Sequence, residues 1–132
     1  PIERVLAAHT GTVQLLLSLW WNQSVVVELK GPPSISGEIL RREVILKLEN
    51  SGKEVASAVS VINLNLNTPK IIEDVLAGKL GIGQIALKHG IMTNRRILDV
   101  RIKGSCLYRK YIMEGVGLHY EIEESFPRHL YV

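Results

Sequence analysis

The chain has 132 residues, 46% of them hydrophobic and 22% charged, which suits one globular domain over 1–132 and excludes a disordered or two-domain chain. Lys and Arg outnumber Asp and Glu by 16 to 13 with no like-charge run beyond two residues, so the clustered basic stripe of a nucleic-acid partner is missing. No apolar run approaches the ~20 residues of a membrane span, the start lacks a signal-peptide shape, and the single cysteine, Cys106, suits a reducing, cytoplasmic setting.

Residues 2–9 read as a short helix. Thr12, following Gly11, is placed to cap a second helix, its hydroxyl accepting an orphan backbone N–H. Val13, Leu16, Leu17 and Trp20 then recur at helical spacing, a face that reads as packing on a sheet rather than holding a ligand. A strand over 25–30 is broken by Gly31-Pro32-Pro33-Ser34. Strands over 40–49 and 54–63 follow, joined by the hairpin turn Asn50-Ser51-Gly52-Lys53.

Thr68-Pro69 opens a helix, with Thr as N-cap and Pro at the first helical position, that ends near Gly78. A shorter helix over 81–88 stops at Gly90. The last third returns to strands. Over 96–103, Leu98, Val100 and Ile102 alternate with Asp99, Arg101 and Lys103. Strands over 106–114 and 117–126 meet at Gly115-Val116-Gly117. Hairpin-linked strands split by a helical pair predict an α+β fold: an antiparallel sheet of about six strands with helices on one face.

Side chains alternate between the faces of a strand, and three charges fall on apolar faces. Arg42 shares its face with Leu40, Val44, Leu46 and Leu48. Glu124 shares its face with Leu118, Tyr120, Ile122 and Phe126. Arg109 aligns with Leu107, Tyr111 and Met113. An unpaired buried charge is costly, so each needs a partner. Two readings stay open. Either Arg42 and Glu124 pair with each other or a bulge puts one of them outside, or each meets a ligand: an arginine fork matches a carboxylate, and a carboxyl in an apolar pocket can act as acid or base near neutrality.

Leu80-Gly81-Ile82-Gly83, between the two helices, offers backbone N–H groups and close approach to an anion. Its spacing matches neither a dinucleotide fingerprint nor a P-loop. His9, His89, His119 and His129 lack metal-ligand spacing. Cys106 has no placed histidine beside it, and no Gly-x-Ser-x-Gly elbow is present.

The ordered set Arg42-Glu43-Val44-Ile45-Leu46, a turn, Val55-Ala56-Ser57-Ala58, Leu80-Gly81, a glycine-turned hairpin and Glu124-Ser125-Phe126-Pro127 resembles chorismate pyruvate-lyase, especially its archaeal and actinobacterial relatives. The resemblance runs over about 11–128. It implies a chorismate lyase-like fold with an enclosed ligand pocket, and a carbon–oxygen lyase that eliminates pyruvate from chorismate to leave 4-hydroxybenzoate, with no metal or organic cofactor. It also implies roles: Arg42 on the ring carboxylate, the backbone N–H of Leu80 on the same group with Gly81 beside it, Glu124 as catalytic carboxyl near the 4-hydroxyl end, and Gly11 as a further backbone contact. The facing of Arg109 assigns it to a second substrate carboxylate. The sequence departs from the family at Lys79 and Glu123, where Thr-Pro before Leu80 and Thr before Glu124 are usual.

The same fold resembles the effector-binding domain of a class of bacterial transcription regulators, which senses small molecules without chemistry. Those carry a helix-turn-helix ahead of the sensor, and none is read here. An inward carboxyl suits catalysis better than anion binding, so the lyase reading leads. Under either, the partner is a small aromatic or cyclic carboxylic acid.

Overall fold

A computed structural model describes residues 2–8 and 13–131. Seven strands make one antiparallel sheet: β1 (Val25–Leu29), β2 (Ser34–Ser36), β3 (Ile39–Leu48), β4 (Glu54–Asn63), β5 (Asn94–Lys103), β6 (Cys106–Gly115) and β7 (Leu118–Pro127). Their order is β1-β3-β4-β7-β6-β5, with β2 also paired to β3. Four helices, α1 (Ile2–Ala8), α2 (Val13–Trp21), α3 (Pro69–Ala77) and α4 (Ile82–Lys88), pack on one face. The strands and helical pair expected from the pattern are present. β2 is the addition: all three of its residues are exposed, so no buried alternation announces it. Among the described residues no helix is long and apolar enough to cross a membrane.

The alternation decides the layers. In β3, Leu40, Arg42, Val44, Leu46 and Leu48 are all buried, as are Leu118, Tyr120, Ile122, Glu124 and Phe126 in β7 and Leu107, Arg109, Tyr111 and Met113 in β6. The other face carries ion pairs between neighbours, among them Lys110 with Glu121 at 2.9 Å and Arg101 with Glu123 at 3.2 Å. Solvated pairs of this kind contribute little individually but keep that face wet.

Two expectations on facing are corrected. In α2 Leu17 is buried and Val13 and Leu16 pack partly buried against the core as expected, but Trp20 is 51% exposed and Trp21 packs there in its place. Trp21 sets its ring edge-on to Tyr131, centroids 6.0 Å apart, and its Nε1 donates to the Tyr131 hydroxyl at 3.3 Å. Positions 13, 17 and 21 stack at i, i+4, i+8, so a one-residue rotation of the helix exchanges the tryptophans. In β5, a bulge between Ile97 and Asp99 leaves Leu98 without a cross-strand partner. Ile97, Val100 and Ile102 therefore pair with Tyr111, Arg109 and Leu107 and share their face. An extra residue resets the two-residue period, and a period count assumes none.

Thr68 stands at the N-cap of α3, but its hydroxyl makes no capping bond; its N–H donates to the Gly117 carbonyl at 3.0 Å. α3 ends at Gly78, whose φ of 69° is left-handed, and a Cβ there would run into the Leu29 side chain. Glycine is thus required twice over, by backbone and by packing. Gly11 and Thr12, and the end of the 2–9 helix at residue 9, lie outside the described residues.

Candidate functional site

The inner face holds two apolar clusters. One gathers Leu6, Leu17, Val44, Leu46, Val55 and Phe126 under α1 and α2. The other gathers Leu40, Ile62, Ile71, Val75, Ile85, Tyr120 and Ile122 under α3 and α4. Among the described residues only Ala58, in mid-sheet, touches both. On β4 it stands between Val44 and Glu124, and Ser60 stands between Arg42 and Ile122. Helices resting on the larger flanking residues do not close over these two small side chains, and a cavity remains at the seam.

The cavity floor is Val44, Leu46, Ala58, Ser60, Ile122 and Glu124; its roof is Val13 and Gln14 of α2 and the Gly81–Gly83 entry to α4. Val27, Arg95 and Tyr111 complete the wall. The centres of water molecules can range over about 40 Å³ of it, several times the roughly 10–15 Å³ one water needs. A Cβ on Gly81 would lie 2.8 Å from Gln14 Oε1 and 3.4 Å from a Val27 methyl, so glycine lets the roof come this close. The lining is mainly apolar with a few convergent polar groups, the usual character of a small-molecule site.

Glu124 is 2% exposed and reaches the cavity wall. Its partner is Arg109, directly opposite on β6, rather than Arg42. Arg109 Nε and Nη2 donate to Glu124 Oε1 at 3.0 and 2.6 Å, and the Tyr111 hydroxyl donates to Oε2 at 2.9 Å. The Arg109 guanidinium also lies 4.7 Å from the Tyr111 ring centre, with Arg95 at 5.3 Å. Burial, reinforced by the neighbouring Glu124, pushes the Tyr111 hydroxyl well above the usual phenol range, so it remains a donor. Both Glu124 oxygens are thus pinned by donors from the neighbouring strand β6.

Arg42 lies at the other side of the seam and is 1% exposed. Nη2 donates to the Leu80 carbonyl at 2.6 Å, while Nε and Nη1 find no acceptor among the described residues. Burial lowers its pKa, and the nearby Tyr120 opposes that shift. Arg42 stands beside the cavity rather than in its lining, but its register partner Ser60 and the neighbour of Leu80, Gly81, are both in the lining. Leu80 thus meets Arg42 through its carbonyl, and the Gly81 N–H is taken by Gln84 Oε1 at 3.0 Å. The two alternatives left open for Arg42 and Glu124 resolve against a direct pair: each has its own neighbours on its own side of the cavity.

Sequence reasoning passed over Gln14, Ser60, Tyr111 and Arg95 as wall residues. Gln14 is the one legible from pattern, a polar residue inside an otherwise apolar helix; its Nε2 donates to the Val25 carbonyl at 2.7 Å and its Oε1 has no partner among the described residues. Arg95 fell just before the expected strand start at 96. Away from the cavity, His89 Nε2 lies 2.6 Å from Asp74, and no three His, Cys, Asp or Glu gather among the described residues.

No family model and no curated protein matches the chain. Among solved structures, that of PhnF from Mycobacterium smegmatis is similar, with a TM-score of 0.61 and 10% identity, covering 90% of this chain and 64% of that one. The described chain therefore spans somewhat less than two thirds of that protein, and at this identity the likeness is one of fold. The antiparallel sheet, the helices on a single face and this likeness together make the fold chorismate lyase-like.

Proposed function

We propose that the domain binds a small aromatic or cyclic carboxylic acid as a sensing module, without turning it over. The observation that carries this is Arg42: a fully buried cation beside a cavity, with two N–H groups lacking an acceptor. A buried charge is tolerated when a counter-charge meets it, and a ligand carboxylate fits an arginine in both charge and geometry. The apolar wall suits a ring in character, and at about 40 Å³, against the roughly 150 Å³ that holds a benzene, the ring enters by displacing the roof of α2 and the Gly81–Gly83 segment. At the far side, Glu124 Oε2 already accepts from Tyr111 and retains capacity for a ligand hydroxyl.

Binding is favoured over catalysis by how Glu124 is held. Both of its oxygens already accept hydrogen bonds from Arg109 and Tyr111, so the carboxyl is tied to β6, whereas a general acid or base must reach the proton it moves in the substrate. The likeness to PhnF supports the binding reading at least as well as the lyase reading. Isothermal titration with benzoate, 4-hydroxybenzoate and chorismate is expected to give saturable binding of at least one acid, abolished by Arg42→Ala. Absence of binding by all three would end the proposal. The presence of Glu124 in the cavity wall keeps the lyase as second reading. Incubation with chorismate is expected to yield no 4-hydroxybenzoate; product above a Glu124→Gln control would overturn the binding-only role.

A further inference from the structure

We infer that Tyr120 is a ligand donor, its hydroxyl sharing with the Arg42 guanidinium the carboxylate end of the bound acid. The inference rests on the binding role proposed above. Tyr120 is 0% exposed, and its hydroxyl has no partner among the described residues. A buried hydroxyl without a partner carries an uncompensated desolvation cost, and native folds seldom leave one so. Of the four buried polar atoms without a partner among the described residues, one, Gln14 Oε1, is an acceptor in the cavity roof; the other three belong to this pair, Tyr120 Oη, Arg42 Nε and Arg42 Nη1.

Register brings these groups to one place. Arg42 on β3 stands opposite Ser60 on β4, which stands opposite Ile122 on β7, and Tyr120 precedes Ile122 by two residues on the same inward face. Two strand spacings, about 10 Å, separate the backbones, and the small Ser60 lies between them. A long arginine and a tyrosine can both lean over that gap. The electrostatic influence of each on the other is consistent with this closeness. Burial raises the Tyr120 pKa, so the group stays an O–H at neutral pH.

All of these groups are donors, so what fits between them is an acceptor, and the arginine calls for negative charge. A carboxylate meets both demands, with two oxygens and about four lone-pair directions. Asp74 is the protein carboxylate whose charge reaches Tyr120, but its oxygens are held by Lys88 at 3.0 Å and His89 at 2.6 Å. Neither Arg42 nor Tyr120 lines the cavity itself, so the inferred pose has the ring in the cavity and the carboxylate passing the lining residues Ser60 and Gly81 to reach them.

The test is Tyr120→Phe, titrated with benzoate and 4-hydroxybenzoate beside the parent protein. Kd is expected to rise about tenfold or more, the usual scale of a lost hydrogen bond to a charged group. Tm is expected to hold or rise, because no bond within the fold is removed. Arg42→Lys is expected to weaken binding as well, and the double variant to lose less than the sum, since both residues address one group. Unchanged Kd in Tyr120→Phe, with the parent protein binding normally, would overturn this inference and leave the binding role standing. A clear fall in Tm would overturn it too, by showing that the hydroxyl serves the fold. If the parent bound neither acid, the binding role itself would fail.

Discussion

Arg42 and Arg109 are the same residue type, equally buried at 1% exposure, on the same face of the same sheet. Their partners make them opposites. Arg109 neutralises Glu124, and its removal strands a buried carboxylate. Arg109→Ala is expected to lower stability by about 3–5 kcal/mol, the cost of breaking a buried pair, measured by urea denaturation. Arg42→Met is expected to stay within about 1 kcal/mol of the parent, because an apolar chain replaces a charge that the fold leaves mostly unmet. A large loss for Arg42→Met would mean that Arg42 serves the fold rather than a ligand. That three charges face inward was legible from alternation alone. Which of them pair was not, since pairing depends on strand order: β7 lies beside β6 and is separated from β3 by β4.

α4 has only seven residues, too few to hold a helix by propensity. It is kept by burial of Ile85 and Ala86 and by the Asp74 link to Lys88 and His89 at its end. The His89 and Lys88 hydrogen bonds, in that order, hold the Asp74 carboxyl below its ordinary pKa. A carboxylate depressed in the folded state stabilises above its unfolded value, about pH 4, and loses that contribution as pH falls through the folded value. Asp74→Asn is therefore expected to lower Tm at pH 6, with the gap to the parent closing as pH drops toward about 2. A gap independent of pH would assign the effect to packing. Both helices of this pair were legible from Thr68-Pro69, Gly78, Gly81 and Gly90. The Asp74–His89 tie was not, because it joins residues on separate helices.

Across the whole molecule, one sheet carries two apolar clusters, and the cavity occupies their seam. A ligand there touches β3, β4 and β7 below and α2 and α4 above, so it joins layers that otherwise meet around a void. At a hundred times Kd it is expected to raise stability by about 2.7 kcal/mol. Amide exchange is expected to slow in α2 and at the Gly81–Gly83 entry to α4, and to change little in the outer half of β5. Protection centred on β5 instead would place the ligand elsewhere.

By itself the sequence determined the α+β class, the hairpin-linked strands, the helical pair and the inward facing of Arg42, Arg109 and Glu124. Each follows from short-range physics: side-chain alternation, turn residues and helix punctuation act within a few positions. Tertiary structure decided what each inward charge meets. Strand order gave Glu124 to Arg109 and kept Arg42 apart, the bulge at Leu98 reset the face of β5, and the small residues Ala58 and Ser60 opened the seam between the clusters. These depend on which segments lie side by side, and the periodicity of a single strand carries no information about its neighbour.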